Sequence, residues 1–293
     1  MNKFQHILAG FSLAGAAILA GSAHADETVV RDRFSDQIVG RGPDLVFIPG
    51  LASSRDTWKA TAERLKAQYR LHLIQVAGFA GEPARANAQG PVLIPTAEAI
   101  DAYLVEQHLT PAVIIGHSLG GTIVLYLAEH HPADLKKALM VDALPFYSTL
   151  MFGPNATLAQ VQPVADAIRS GKSKMTDAQR TQMMVSMATA QADKDMIRRW
   201  SDASDKSAVT NAIADAMTLD MRPGLATITT PITLVYPDYV PLGQPKGASD
   251  AMYHATYAAM KTMTYAPVNG SLHFVMLDQP ALFNAALDAF LAQ

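Results

Sequence analysis

Short apolar runs that stop abruptly and alternate with helical segments constrain this chain more than any other feature. Leu45-Val46-Phe47-Ile48 ends at Pro49-Gly50, and His72-Leu73-Ile74-Gln75-Val76, Ala112–Ile115, Ala138–Val141, Pro231–Tyr236 and Met263–Pro267 repeat the pattern. Runs of this length with little polar alternation fit strands buried on both faces. Between them lie helical stretches. Arg55–Gln68 puts Trp58, Ala62 and Leu65 on one face, and Thr96–His108 opens on Thr96 as an N-cap with Glu98 and Asp101 near the positive end. Leu119–His130, Ser249–Met260 and Pro280–Leu291 complete the set, the last with Asp278 as its cap. Strand–helix–strand repetition implies an α/β fold, a mostly parallel, doubly wound sheet with helices on both faces. Thr28–Val39 reads as an opening hairpin or irregular strand pair.

The pattern lapses after Pro145. From residue 146 to 223 no strand is evident, and the segment is rich in Ala, Met, Gln and Asp. It reads as a helical cap inserted between two strands of a core formed by residues 26–145 and 224–293. The Ala77–Pro95 connection is longer than ordinary loops and so is a second candidate for shaping a site. Residues 1–25 have the three parts of a secretory signal. Lys3 precedes the apolar run Ile7–Ala20, and Ala23-His24-Ala25 has the form of a cleavage site. That run of about 14 residues is short of the roughly 20 that span a bilayer. The expected mature protein begins at Asp26, is periplasmic or secreted, and has no integral membrane segment.

Composition narrows the chemistry. With 23 Lys+Arg against 26 Asp+Glu the net charge is −3, which gives no basic excess for nucleic acid. The chain has no cysteine, which removes disulfides, thiolate metal sites and cysteine nucleophiles together. No histidine–carboxylate grouping in the sequence suggests a metal, and no Gly-x-Gly-x-x-Gly follows a strand, so no cofactor is expected.

One pentapeptide stands out against this background. Gly116-His117-Ser118-Leu119-Gly120 fits G-x-S-x-G, directly after a strand and directly before a helix. So sharp a turn strains the serine backbone and exposes its hydroxyl, while the helix N-terminus offers free N–H groups to a developing oxyanion. A serine nucleophile needs a base. His72 lies in a strand, and His108, His130 and His131 lie at helix ends. His254 is inside a helix, and His117 must point away from its neighbour. His273 alone sits in a loop after the last strand, at the sheet edge that displays Ser118. Two aspartates follow strands at that edge, in the order Ser, Asp, His. Asp142 lies flush at a strand end among apolar residues and needs a partner there. Asp238 precedes Tyr239, Val240 and Pro241 and is the alternative acid.

The sequence from Asp44 onward resembles the α/β-hydrolase fold superfamily of serine hydrolases with a helical cap. Ile48-Pro49-Gly50-Leu51 is similar to the family's oxyanion loop, Gly116–Gly120 to its nucleophile elbow, and Asn269–Asp278 to its histidine loop. The resemblance implies an oxyanion hole formed by the backbone N–H groups of Leu51 and Leu119. Most members carry the acid after the penultimate strand, where this chain has Val240 two residues past Asp238. A minority carry it after the strand that follows the nucleophile helix, where Asp142 falls, which favours Asp142.

The expected activity is hydrolysis of a small-molecule carboxylic ester through a Ser118-His273-Asp142 triad and an acyl-enzyme. An amidase or aminopeptidase of the same fold, and a non-catalytic ligand-binding protein, are the alternatives. Phe79, Phe146, Tyr147, Met151, Phe152 and Met175 are candidates to line an apolar acyl pocket. The same residues at helical spacing also suit packing of the cap. Nothing in the sequence specifies the oligomeric state.

Overall fold

A computed structural model describes residues 27–173 and 175–293. The segment expected to be a secretory signal, residues 1–25, lies outside these residues. The chain opens with β1 (Glu27–Val30), β2 (Phe34–Gly40) and β3 (Asp44–Ile48), followed by α1 (Lys59–Leu65), β4 (Arg70–Val76) and α2 (Leu93–Glu106). Next come β5 (Ala112–His117), α3 (Leu119–His130) and β6 (Leu135–Val141). Five helices then intervene: α4 (Thr149–Phe152), α5 (Leu158–Arg169), α6 (Asp177–Val185), α7 (Gln191–Ala203) and α8 (Lys206–Thr218). The core resumes with β7 (Ile232–Pro237), α9 (Ala248–Thr256), β8 (Met263–Val268), α10 (Val275–Asp278) and α11 (Pro280–Ala292).

The eight strands form one sheet in the order β1-β2-β4-β3-β5-β6-β7-β8. Pairings from β4 through β8 are parallel, and the β1/β2 and β2/β4 pairings are antiparallel. Each central strand is buried on both faces because helices cover both. One apolar cluster joins Val46, Ile114 and Met140 to side chains of α2, α3 and α9. The other joins Phe47, Ile115 and Val141 to Trp58, α1 and α11. The β2/β4 register also buries polar groups. His72 donates through Nδ1 to Asp36 Oδ2 at 2.6 Å, and the Tyr103 hydroxyl donates to the same oxygen at 2.8 Å. His72 Nε2 faces Asp44 Oδ1 at 3.2 Å, so this strand histidine is committed to sheet packing.

Two helix starts differ from the sequence expectation. α2 begins at Leu93, three residues before Thr96, with Pro95 in its first turn where a missing N–H costs nothing. Its first amides are capped from a distance: Val92 N and Leu93 N donate to Asp215 Oδ2 of α8 at 2.6 and 3.1 Å. Glu98 accepts from the Tyr126 hydroxyl at 2.7 Å instead of serving the helix end. α11 follows Gln279, which supplies no side-chain cap. Asp278 accepts from Leu272 N at 2.8 Å and from Thr189 N at 2.7 Å, which ties the stretch after β8 to the inserted helices.

The inserted helices are anchored to the core at two places. On one side Asp205 N donates to Gly78 O at 2.7 Å, and Ala80 N donates to Ser204 Oγ at 2.8 Å. On the other, His273 N and Phe274 N donate to Ser186 O and Met187 O at 3.2 and 2.8 Å. Among the described residues no helix is long and apolar enough to cross a membrane.

Candidate active site

The site begins at the end of β5. Ser118 has φ 53° and ψ −116°, outside the comfortable regions for a side-chain-bearing residue. The strain is imposed by the turn from β5 into α3, whose first turn at Gly120 lies against the Ile48 and Pro49 carbonyls at the end of β3. A Cβ at Gly116 would collide with the Gly120 carbonyl, and one at Gly120 with the Ile48 carbonyl. The two glycines of the motif therefore set how close the elbow approaches the strand. Ser118 N donates to Val141 O at 2.9 Å, and Thr122 N donates back to Ser118 O at 2.9 Å, so the turn is locked on both sides. Leu119 is the first residue of α3, where backbone N–H groups have no acceptor within the helix.

Asp142, one residue past β6, also adopts a positive φ of 46°. Its amide donates to Val235 O at 2.9 Å, so the strained residue is held by the neighbouring strand. The His273 Nδ1–H group donates to Asp142 Oδ2 at 2.7 Å, and the two side chains are 18% and 7% exposed. That bond fixes the tautomer: with the proton on Nδ1, the lone pair of the ring lies on Nε2. Two further donors reach the carboxylate. The Tyr239 hydroxyl donates to Oδ2 at 2.6 Å, and the Tyr253 hydroxyl donates to Oδ1. Burial acts to raise the Asp142 pKa, but His273, Tyr239 and Tyr253 together outweigh it and hold the acid below its ordinary value. Burial first, and the carboxylate second, push Tyr239 and Tyr253 well above the usual phenol range, so both remain neutral donors.

Asp238 is turned to a different task. Its Oδ1 accepts from Val240 N at 3.2 Å and Gly270 N at 3.0 Å, joining the turn after β7 to the loop after β8. The structure thus brings Asp142, and not Asp238, to the imidazole. Sequence reasoning missed Tyr239 and Tyr253. The one signal available was the position of Tyr239, in the turn where most members of the fold carry their acid.

His117 does point away from Ser118. Its Nε2–H donates to His273 O at 3.0 Å, and the two rings lie 4.6 Å apart. Burial, reinforced by the neighbouring His273, pushes its pKa down to about 3. His117 is therefore neutral in the folded protein. The linkage follows directly. Between an unfolded value of 6.5 and a folded value of about 3, the unfolded chain binds a proton that folded His117 refuses. This contribution to stability is complete above the unfolded value and is lost as pH falls, at about 1.4 kcal/mol per pH unit. Urea unfolding between pH 4 and 7 should show His117→Gln with a shallower acid loss than wild type. Equal slopes would refute the assignment.

The expected pocket residues divide. Phe79 is fully buried in the sheet-facing core, and Phe146 is buried with Val161 and Met217 under the inserted helices, with Arg222 over its ring at 4.5 Å. Both are packing residues without free surface, contrary to the sequence expectation. Phe152 is half-buried against that second group. Tyr147, Met151 and Met175 are 42%, 57% and 43% exposed. A polar cavity of about 510 Å³, lined in part by Ser35, Arg55, Gln75 and Glu82, includes neither Ser118 nor His273. Folding also creates a histidine–carboxylate group that the sequence does not reveal. Asp101, His131 and Asp134 offer ligand atoms within 4.8 Å of one another, and His131 already faces Asp101 and Glu98.

A strained serine at a strand–helix elbow and an aspartate-bound histidine in the loop after the last strand, on a sheet of this order, have a family to match. The sequence profile described as the alpha/beta hydrolase family matches residues 45–286. The chain belongs to the alpha/beta hydrolase family. The pimeloyl-[acyl-carrier protein] methyl ester esterase of Vibrio vulnificus is 31% identical over 112 residues, 38% of this chain and 41% of that protein. The Chromobacterium violaceum protein of the same name is 27% identical over 133 residues, 45% of this chain and 50% of that protein. The chain thus spans two fifths to one half of the length of these relatives. Among solved structures, a hydrolase from Pseudomonas aeruginosa superposes with a TM-score of 0.72 at 17% identity, covering 92% of this chain and 100% of that one. An esterase from Exiguobacterium antarcticum gives 0.72 at 18% identity, covering 89% and 96%. At such identities the superpositions establish the alpha/beta hydrolase fold alone.

Proposed function

We propose that this alpha/beta hydrolase is an exported serine hydrolase that cleaves small-molecule carboxylic esters through an acyl-enzyme. The observation that carries the reading is the 2.7 Å bond from His273 Nδ1–H to Asp142, made by a histidine whose ring lies 4.6 Å from that of His117, the residue before the strained Ser118. Ser118 Oγ attacks the acyl carbonyl while His273 Nε2 takes its proton. The amides of Leu51 and Leu119 stabilise the tetrahedral oxyanion. His273 returns the proton to the departing alkoxide, and water, activated by the same imidazole, then releases the acid. Asp142 holds the ring and stabilises the transient imidazolium. The helices of residues 146–223 shape the acyl site, with Tyr147, Met151 and Met175 offering exposed apolar surface. The names of the Vibrio and Chromobacterium relatives support an ester over an amide as substrate. Export is supported by Lys3, the apolar run Ile7–Ala20 and the Ala23-His24-Ala25 site.

Incubation with a fluorophosphonate, followed by peptide mapping, tests the nucleophile, and a series of p-nitrophenyl esters beside matched anilides tests the substrate class. Labelling at Ser118 with turnover of esters in preference to anilides is expected. Absence of labelling would overturn the enzyme reading, and preferred cleavage of anilides would overturn the ester class. Amino-terminal sequencing of the secreted or periplasmic protein should begin at Asp26.

A further inference from the structure

Asp142 accepts from three donors, and only the His273 bond orients the imidazole. The other two come from elements that carry no reacting atom in the proposed mechanism. Tyr239 stands in the turn after β7 with a left-handed backbone at φ 52°, and its hydroxyl reaches Oδ2, the oxygen that already takes the His273 Nδ1–H bond. Tyr253 lies within α9 and donates to Oδ1. One turn further along the chain the Tyr257 hydroxyl donates to Ala143 O at 3.0 Å, which docks the end of α9 beside the acid. We propose that Tyr239 and Tyr253 are positioning residues that clamp Asp142 and draw charge from it, weakening its pull on the His273 imidazolium. The proposal rests on the reading of Ser118, His273 and Asp142 as the reacting group.

The three donors share one negative charge. Hydrogen bonds to an ionised carboxylate are short and strong, and each withdraws electron density from the acceptor. A carboxylate with fewer donors binds an imidazolium more tightly and keeps it protonated to higher pH. The groups facing this pair are few and known. His273 reaches Asp142 from the loop after β8, Tyr239 from the turn after β7 and Tyr253 from α9, with Tyr257 beside them. His117 faces His273 from the elbow and is neutral. Asp278 and Asp238, which flank the histidine loop, are occupied by Leu272 N and Gly270 N. Removal of one phenolic hydroxyl therefore changes the charge balance at one place.

The readout is the pH dependence of the second-order rate of inactivation by a fluorophosphonate, measured on the mature protein and on Tyr239→Phe, Tyr253→Phe and Ser118→Ala. This requires no knowledge of the natural substrate. The acid limb of each tyrosine variant should move to higher pH by roughly half to one unit, while the high-pH plateau stays within about tenfold of wild type. A role confined to satisfying a buried carboxylate predicts lower stability with an unmoved limb, and that result would overturn the proposal. Should Tyr253→Phe fail to fold, Tyr239→Phe, on a half-buried surface turn, carries the same test. If Ser118→Ala is inert and the limbs coincide, only the clamp falls. If Ser118→Ala still reacts at the wild-type rate, the catalytic reading falls with it.

Discussion

Ser118→Ala should lower kcat/KM for a p-nitrophenyl ester by about 10⁴-fold or more, and His273→Ala by a similar factor, with the fold intact. The size of the effect follows from the roles. The nucleophile and its base act as one unit, so loss of either leaves only the binding surface and the oxyanion amides. The fold survives because the elbow is held by its main chain. The bonds from Ser118 N to Val141 O and from Thr122 N to Ser118 O involve no side-chain atom of residue 118. The Gly116 and Gly120 contacts that set the approach to β3 are likewise untouched. Thermal melts of the two variants beside their ester kinetics provide the check. A variant that melts like wild type and retains a tenth of its activity would remove Ser118 from the mechanism.

The two aspartates should separate as sharply. Asp142→Asn is expected to cost on the order of 10²–10⁴-fold in kcat, and Asp238→Asn less than about tenfold. An asparagine at 142 presents an N–H₂ group that competes with the His273 Nδ1–H bond, and it no longer offsets an imidazolium charge. The Tyr253 hydroxyl can still donate to the amide carbonyl, whereas the Tyr239 hydroxyl would meet the N–H₂ group and lose its acceptor, and neither restores that charge. An asparagine at 238 keeps a carbonyl oxygen where Oδ1 now accepts from Val240 N and Gly270 N, so the turn is conserved. Parallel kcat measurements on the two variants decide the matter, and a larger loss at 238 would reverse the assignment of the acid.

The pattern of legible and illegible features has a physical logic. The runs Leu45–Ile48, Ala112–Ile115 and Pro231–Tyr236 were readable as strands because burial on both faces demands unbroken apolar sequence. The start of α2 was misplaced because its cap is Asp215, more than a hundred positions away, and no local rule sees such a donor–acceptor pair. Asp278 looked like a helix cap for the same reason: its partners, Thr189 and Leu272, become visible only when the inserted helices meet the loop after β8. Phe79 and Phe146 have the composition of pocket residues, but composition cannot separate a wall from a core.

Local chemistry in the sequence was thus enough to determine the α/β class and to place Ser118 at a strand–helix turn and His273 after the last strand, since each placement depends on apolar periodicity or on glycines spaced around a turn. The sequence also left two aspartates as candidate partners for that histidine. Only the folded chain decided between them, because the choice depends on which carboxylate lies within 2.7 Å of an imidazole 131 positions away. Tertiary structure alone likewise brought the Tyr239 and Tyr253 hydroxyls to one carboxylate, from a turn and a helix far apart along the chain from Asp142. Hydrogen bonds act over a few ångströms of space, and separation along the chain carries no information about that distance.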